Sequence, residues 1–208
     1  MAFHLVQHPL ISHKMSKLRD KNTTVKDFRE LLEEIGMVLA VESTRDLPLI
    51  EETIDTPLET TKGSFIEGKK LVLVPILRAG LGLLEGFLSV VPNARVGHIG
   101  IFRNEETLQP NLYYFKLPAQ PELRTVYLID PMLATGGSAL YAIDQIKKAG
   151  VKKIKAIFAV ASPEGVAAVE KEHPDIEMYA AALDRTLNEK GYILPGLGDA
   201  GDRFFGTH

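Results

Sequence analysis

The chain has no cysteine in its 208 residues, which excludes disulfides, thiolate nucleophiles and any zinc site built on cysteine. It also lacks a surplus of basic charge: 24 Lys and Arg stand against 27 Asp and Glu, a formal net charge of −3. A nucleic-acid-binding face needs clustered cations, so no nucleic-acid partner is expected. No apolar run approaches the ~20 residues that span a bilayer. The amino-terminal stretch Met1 to His8 has neither the basic segment nor the apolar segment of a secretion signal. These absences predict a cytoplasmic protein with no membrane partner. Composition does not break along the chain, and a length of 208 residues suits one domain over 1–208.

What is present is an α/β rhythm. Thr24-Val-Lys-Asp27 reads as a helix-opening cap, and Val25, Phe28, Leu32, Ile35 and Leu39 recur at helical spacing. Residues 54–66 are expected to form an extended arm. Leu71 to Ile76 is apolar on both faces, as a central parallel strand requires. Arg78-Ala-Gly80 and a helical segment through Leu88 follow it. Val96 to Phe102 reads as the next strand, with Leu112 to Lys116 folding back on it as a hairpin. Thr125 to Ile129, Lys155 to Ala161 and Ile176 to Leu183 complete the strands. Strands alternating with helices predict a twisted, mainly parallel sheet flanked by helices. In such sheets ligands bind at the carboxyl ends of the strands, where Arg78, Arg103 and Asp130 fall.

The most informative stretch runs from Val126 to Ser138. An apolar strand ends in Asp130, passes Pro131, Met132, Leu133 and Ala134, and reaches Thr135-Gly-Gly-Ser138 just before a helix. Glycines let the backbone approach an anion, and the unpaired N–H groups of a helix start point at it. The hydroxyls of Thr135 and Ser138 and the N–H groups of Gly136 and Gly137 make a phosphate nest. No lysine follows the glycines, so a Walker-type loop does not fit. Asp130 at the mouth of a phosphate site calls for hydroxyl donors or a divalent cation, and a ribose 5-phosphate supplies the hydroxyls. Arg78 and Arg103, each following an apolar strand, read as anion clamps.

Gly191 to His208 breaks the rhythm and holds five of the 17 glycines, yet keeps Tyr192, Ile193, Leu194, Phe204 and Phe205. That is too apolar for a solvated tail, so an ordered functional loop is expected. Gly196-Leu-Gly-Asp-Ala-Gly201 has the spacing of a dinucleotide fingerprint, but no strand leads in and too few residues follow for its helix.

Taken together, these residues resemble a type I phosphoribosyltransferase, and Val126 to Ser138 resembles its loop for phosphoribosyl pyrophosphate (PRPP). His8-Pro-Leu10, Leu18-Arg-Asp-Lys21, Pro75 to Gly80, Asp130 to Ser138 and Gly191 to Gly201 resemble the uracil phosphoribosyltransferase family over essentially the whole chain. Most type I members carry two acids at the strand end; here Pro131 follows Asp130, as in the uracil branch. The resemblance implies transfer of phosphoribose from PRPP to N1 of uracil, giving UMP and pyrophosphate. It implies Mg2+ as cofactor, carried by PRPP with no direct protein ligand. Asp130 would engage the ribose hydroxyls, and Pro131 to Ser138 the rest of PRPP. Arg78 and Arg103 would hold pyrophosphate, with a non-proline cis peptide after Arg78. A C-terminal base-binding hood, about 191–208, would hold uracil through Ile193, Gly198, Asp199 and Ala200. Asp199 would also reach PRPP and take the N1 proton, so Asp199, Arg78 and Arg103 are the expected catalytic residues. A homodimer and a GTP effector belong to the same resemblance. Two other readings compete: transfer to a 6-oxopurine, which the C-terminal turn disfavours, and an RNA-binding regulator, which the net charge disfavours.

Overall fold

The computed structural model describes residues 3–68, 71–103 and 110–207. In chain order it contains β1 (Phe3–Leu5), α1 (Pro9–Arg19), α2 (Val25–Ser43), β2 (Leu49–Asp55), β3 (Thr60–Ile66), β4 (Val72–Leu77) and α3 (Leu81–Val90). There follow β5 (Arg95–Val96), β6 (His98–Arg103), β7 (Pro110–Lys116), β8 (Thr125–Leu133), α4 (Gly137–Lys148), β9 (Lys153–Ala161) and α5 (Pro163–Glu172). The chain closes with β10 (Glu177–Leu183), β11 (Thr186–Leu187), β12 (Ile193–Leu194) and α6 (Ala200–Phe205).

The main sheet has the order β1-β10-β9-β8-β4-β6-β7, with β5 also paired to β4. Every pairing in it is parallel except the β6–β7 hairpin. The expected fold class is therefore the observed one. The strand read as Val96 to Phe102 divides at Gly97, whose N–H donates to the Leu73 carbonyl at 2.9 Å. The arm is longer than expected: β2 and β3 pair over Leu49 to Ile66 as a separate hairpin. Its Leu49, Ile50, Phe65 and Ile66 are exposed, as is Leu58 at the tip.

Period-two alternation sorts the core. Leu73, Tyr127, Ile129, Ile157 and Tyr179 point to the layer of α1, α2 and α3. Val74, Val126, Leu128, Phe158 and Met178 point to α4 and α5. Both faces are covered, so the strands read as unbroken apolar runs. At the amino ends of the strands, Lys155 Nζ donates to the Ser43 carbonyl (2.9 Å) and pairs with Asp46 (2.5 Å) and Glu177 (3.4 Å). Charged side chains thus close this end, and the phosphate-type loop sits at the other. Among the described residues no helix is long and apolar enough to cross a membrane.

The helix starts follow local chemistry. The Thr24 hydroxyl accepts the Asp27 N–H at 3.1 Å and opens α2, as the capping pattern predicts. His8 caps α1 through Nδ1, which accepts the Leu10 N–H at 3.1 Å. His4 stacks on Tyr179, with ring centroids 4.6 Å apart. His4 and His8 thus make structural contacts.

Helices α2 and α3 cross at two glycines. A β-carbon on Gly86 would lie 2.1 Å from the Glu33 carbonyl oxygen and 2.7 Å from Met37 N. Both obstacles are helix backbone, which cannot yield locally. Gly86→Ala should therefore lower unfolding free energy by ~1–3 kcal/mol or more. Urea unfolding measures this; a variant as stable as the parent would contradict the close crossing.

Candidate active site at the carboxyl edge of the sheet

Strand β8 does not stop at Asp130. It continues through Pro131 to Leu133, with Asp130 paired to Phe158 and Met132 to Val160 of β9. This corrects the expected strand end: the strand runs three residues further, and Met132 and Leu133 keep partners in β9. Pro131 has no N–H, so its position in an interior strand forfeits one ladder donor. Asp130 is partly buried. Desolvation pushes its carboxyl up to about 7, offset in part by a hydrogen bond from the Met132 N–H. A carboxyl poised near neutrality in a cleft is a recognised mark of function.

Ala134 and Thr135 lead into Gly136, which takes φ 85° and caps α4. Only glycine adopts that conformation cheaply. No side chain caps this helix, so Gly137 and Ser138 present first-turn N–H groups to whatever binds there. Thr135, Gly137 and Ser138 are exposed, while Pro131, Leu133 and Gly136 are buried. The loop is gripped from behind by the start of α5. The Ser162 hydroxyl donates to the Ala134 carbonyl at 2.6 Å and accepts the Gly165 N–H at 2.9 Å.

Arg78 follows β4 directly. The Leu77–Arg78 peptide is cis, so the non-proline cis bond precedes Arg78 and does not follow it as expected. The Arg78 side chain is exposed, with its guanidinium 5.0 Å over the Phe205 ring and 3.9 Å from Asp202. Arg103 ends β6, past Gly100, the partner of Leu77 at the end of β4, and its side chain lies outside the described residues, as do residues 104–109.

The C-terminal segment is more regular than its sequence pattern predicts. β12 pairs antiparallel with β11, the Leu194–Pro195 peptide is cis, and α6 forms over Ala200–Phe205. Gly196 has φ 61°, and a β-carbon there would lie 2.1 Å from the Ile193 carbonyl oxygen. The turn leaves Gly198 and Asp199 exposed and buries Ile193 and Ala200. Asp199 is the N-cap of α6, its Oδ1 accepting the Asp202 N–H at 2.9 Å. This capping role had not been expected for Asp199.

The hood lies against both other loops. A β-carbon on Gly191 would sit 3.6 Å from the Thr135 methyl, and one on Gly201 would sit 3.8 Å from Ala79 Cβ. The structure thus gathers Asp130, Pro131 to Ser138, Arg78 and the 191–205 turn at one edge of the sheet. Among the described residues no group of three His, Asp or Glu is placed to hold a metal. Asp130 is the single carboxylate of the Asp130 to Ser138 stretch.

Several supporting residues escaped sequence reading. Ser162 could have been found, since Ser-Pro-Glu has the pattern of a helix cap. Glu164, which accepts from Thr186 Oγ1 (2.7 Å) and Leu187 N (3.1 Å), ties the base of the hood to α5. Arg19, Asp184 and Arg203 anchor the glycine turn. Arg19 reaches Gly196 over 177 residues and Asp184 over 165, and no local signal announces these contacts.

Comparison with known proteins places this geometry. The sequence model of the family described as uracil phosphoribosyltransferase matches residues 5–207. A uracil phosphoribosyltransferase of Lactococcus lactis is 58% identical over 207 residues, covering 99% of this chain and 98% of its own. One from Polaromonas naphthalenivorans is 57% identical over 204 residues, covering 98% of each. The solved AQ2163 protein of Aquifex aeolicus superposes with a TM-score of 0.93 at 42% identity, over 99% of this chain and 98% of its own. An adenine phosphoribosyltransferase of Trypanosoma brucei shares the fold at 11% identity, with a TM-score of 0.61 over 95% of this chain and 88% of its own. A family model that spans residues 5–207, and relatives 57–58% identical over nearly the whole chain, show that the chain belongs to the uracil phosphoribosyltransferase family.

Proposed function

We propose that this protein transfers the 5-phosphoribosyl group of PRPP to N1 of uracil, forming UMP and releasing pyrophosphate. The observation that carries the reading is the placement of one glycine-built hood beside two anion-suited loops. A β-carbon on Gly191 would reach van der Waals distance of Thr135 in the phosphate-type loop, and one on Gly201 that of Ala79 beside Arg78. A nucleotide needs its phosphate, ribose and base bound within one short span, and this edge offers all three.

In this reading the 5′-phosphate docks on the uncapped start of α4, against Thr135 to Ser138. Asp130 accepts hydrogen bonds from the ribose hydroxyls, and Pro131 to Ala134 line the approach. Arg78 and Arg103 hold the pyrophosphate, and a magnesium ion carried on PRPP neutralises part of its charge. Bond cleavage at C1 leaves positive charge on the ribose and negative charge on the leaving group. Fixed cations facing that group lower the barrier, so electrostatic stabilisation is the main device. Uracil offers two carbonyl acceptors and an N3–H donor. Backbone groups of Ile193 and Gly198 to Ala200 can complement that pattern. Cytosine would face a mismatched donor, and an unpaired buried polar group costs ~1–3 kcal/mol.

Incubation with PRPP, magnesium and each of uracil, cytosine and hypoxanthine tests the activity. UMP should form from uracil, and the other two bases should give no nucleotide. Absence of UMP would remove the proposal.

Asp130 makes a second test. Its folded-state value of about 7 lies above the ordinary 3.8, so folding takes up a proton between those values. Its contribution to stability is complete below about pH 4 and is lost as pH rises through 7. Asp130→Asn should therefore melt at least as high as the parent at pH 8, while kcat/KM for PRPP falls ~100-fold or more. In the parent, kcat/KM for PRPP should rise with pH through about 7, as the accepting carboxylate forms. A variant that melts lower at pH 8 and still turns over normally would refute the role.

Asp199 is proposed to take the N1 proton through the oxygen that does not cap α6. Asn is an equally good cap, so Asp199→Asn keeps the turn and removes only the charge. Its kcat should fall ~100-fold, with thermal stability retained. Near-parental turnover across the pH range would exclude Asp199 as the base.

A further inference from the structure

The turn that presents the base-reading backbone is gripped from outside the hood. The Gly196 N–H donates to Asp184 Oδ2 at 2.8 Å, and its carbonyl accepts from Arg19 Nη1 at 2.7 Å. The same two side chains pair with each other, Nη1 to Oδ2 at 2.7 Å and Nη2 to Oδ1 at 2.5 Å. The Asp184 side chain is only 5% exposed and that of Arg19 23%. Arg19 is the last residue of α1, and Asp184 follows β10 directly. A helix end and a strand end therefore hold both polar groups of one residue.

The next residue is anchored to the same place. The Leu197 carbonyl accepts from Arg203 Nη1 at 2.8 Å, and Arg203 Nη2 donates to the Asp20 carbonyl at 2.6 Å. The Arg203 guanidinium lies 4.5 Å over the Phe28 ring of α2. A glycine turn has little stiffness of its own, because glycine is free to adopt many backbone conformations. Recognition of a small planar base needs its partners held within ~0.5 Å. Something must supply the rigidity, and a forked guanidinium bonded twice to a carboxylate does so.

We propose that the Arg19–Asp184 pair is a positioning device for base recognition: by fixing Gly196 it sets where Ile193 and Gly198 to Ala200 hold uracil. The inference rests on the reading of this edge as a uracil site. Neither side chain needs to touch substrate. Arg19 and Asp184 act only through the Gly196 peptide, so their effect should fall on the base and spare the phosphoribosyl end.

Two variants test this. Arg19→Lys keeps the charge and loses the fork, and Asp184→Asn keeps the shape and loses the charge. Each should raise KM for uracil about tenfold, with KM for PRPP and kcat at saturating uracil within about twofold of the parent. A purely structural role predicts lower melting and fewer active molecules, which lowers kcat and leaves both KM values unchanged; that result overturns the proposal. Hydrogen exchange on the unmodified protein is independent of how the variants fold. The Gly196 amide should exchange far more slowly than that of exposed Gly198, and equal rates would overturn the clamp. Parental turnover is measured first: no UMP from uracil removes the functional reading, whereas UMP with an unchanged uracil KM in both variants removes only the clamp.

Discussion

The start of α4 is the constraint around which the carboxyl edge is arranged. Gly136 at φ 85° turns the chain from β8 into the helix, and no side chain takes the first-turn N–H groups. A helix usually satisfies these donors with a Ser, Thr or Asp cap. Among the described residues, α1, α2, α5 and α6 open on a side-chain cap, with His8, Thr24, Ser162 and Asp199 accepting backbone N–H groups, whereas α3 after Gly80 has none, like α4. At α4 the donors are exposed at the end of a buried strand, where an anion can take the place of the cap. The Ser162 hydroxyl, donating to the Ala134 carbonyl, ties the loop to the start of α5.

Asp130 follows from that placement. A carboxylate partly stripped of water beside an anion site is unfavourable for the empty protein, and its proton affinity rises to about 7 accordingly. The proposed function gives that cost a reason, since a bound ribose would present hydroxyl donors there. Strand β8 helps by running on through Pro131 to Leu133, which holds the carboxyl against Phe158's strand instead of in a free loop.

The hood is held by side chains from outside it: Arg19, Asp184 and Arg203 take the polar groups of its glycine turn, and Glu164 ties its base to α5. The start of α5 serves both halves, with Ser162 on the phosphate-type loop and Glu164 on the base of the hood. One helix turn thereby links the phosphate-type loop to the base of the hood.

What the sequence determined by itself is local. Apolar runs such as Leu71 to Ile76, the Thr24 cap and the Thr135-Gly-Gly-Ser138 turn act through neighbours in the chain, so the fold class and the phosphate-type loop were legible. The β6–β7 hairpin was legible for the same reason, and so was the order of the hood, from its apolar content. Tertiary structure alone decided the rest. The extension of β8 past Asp130 comes from pairing with β9, the capping role of Asp199 from α6, and the cis peptide at Leu77–Arg78 was misplaced by one bond. Arg19 reaches Asp184 and Gly196 across most of the chain, and hydrogen bonds over such separations leave no periodic or local trace. The ligand-facing backbone was written in the glycines, but its rigidity depends on side chains that only folding brings near.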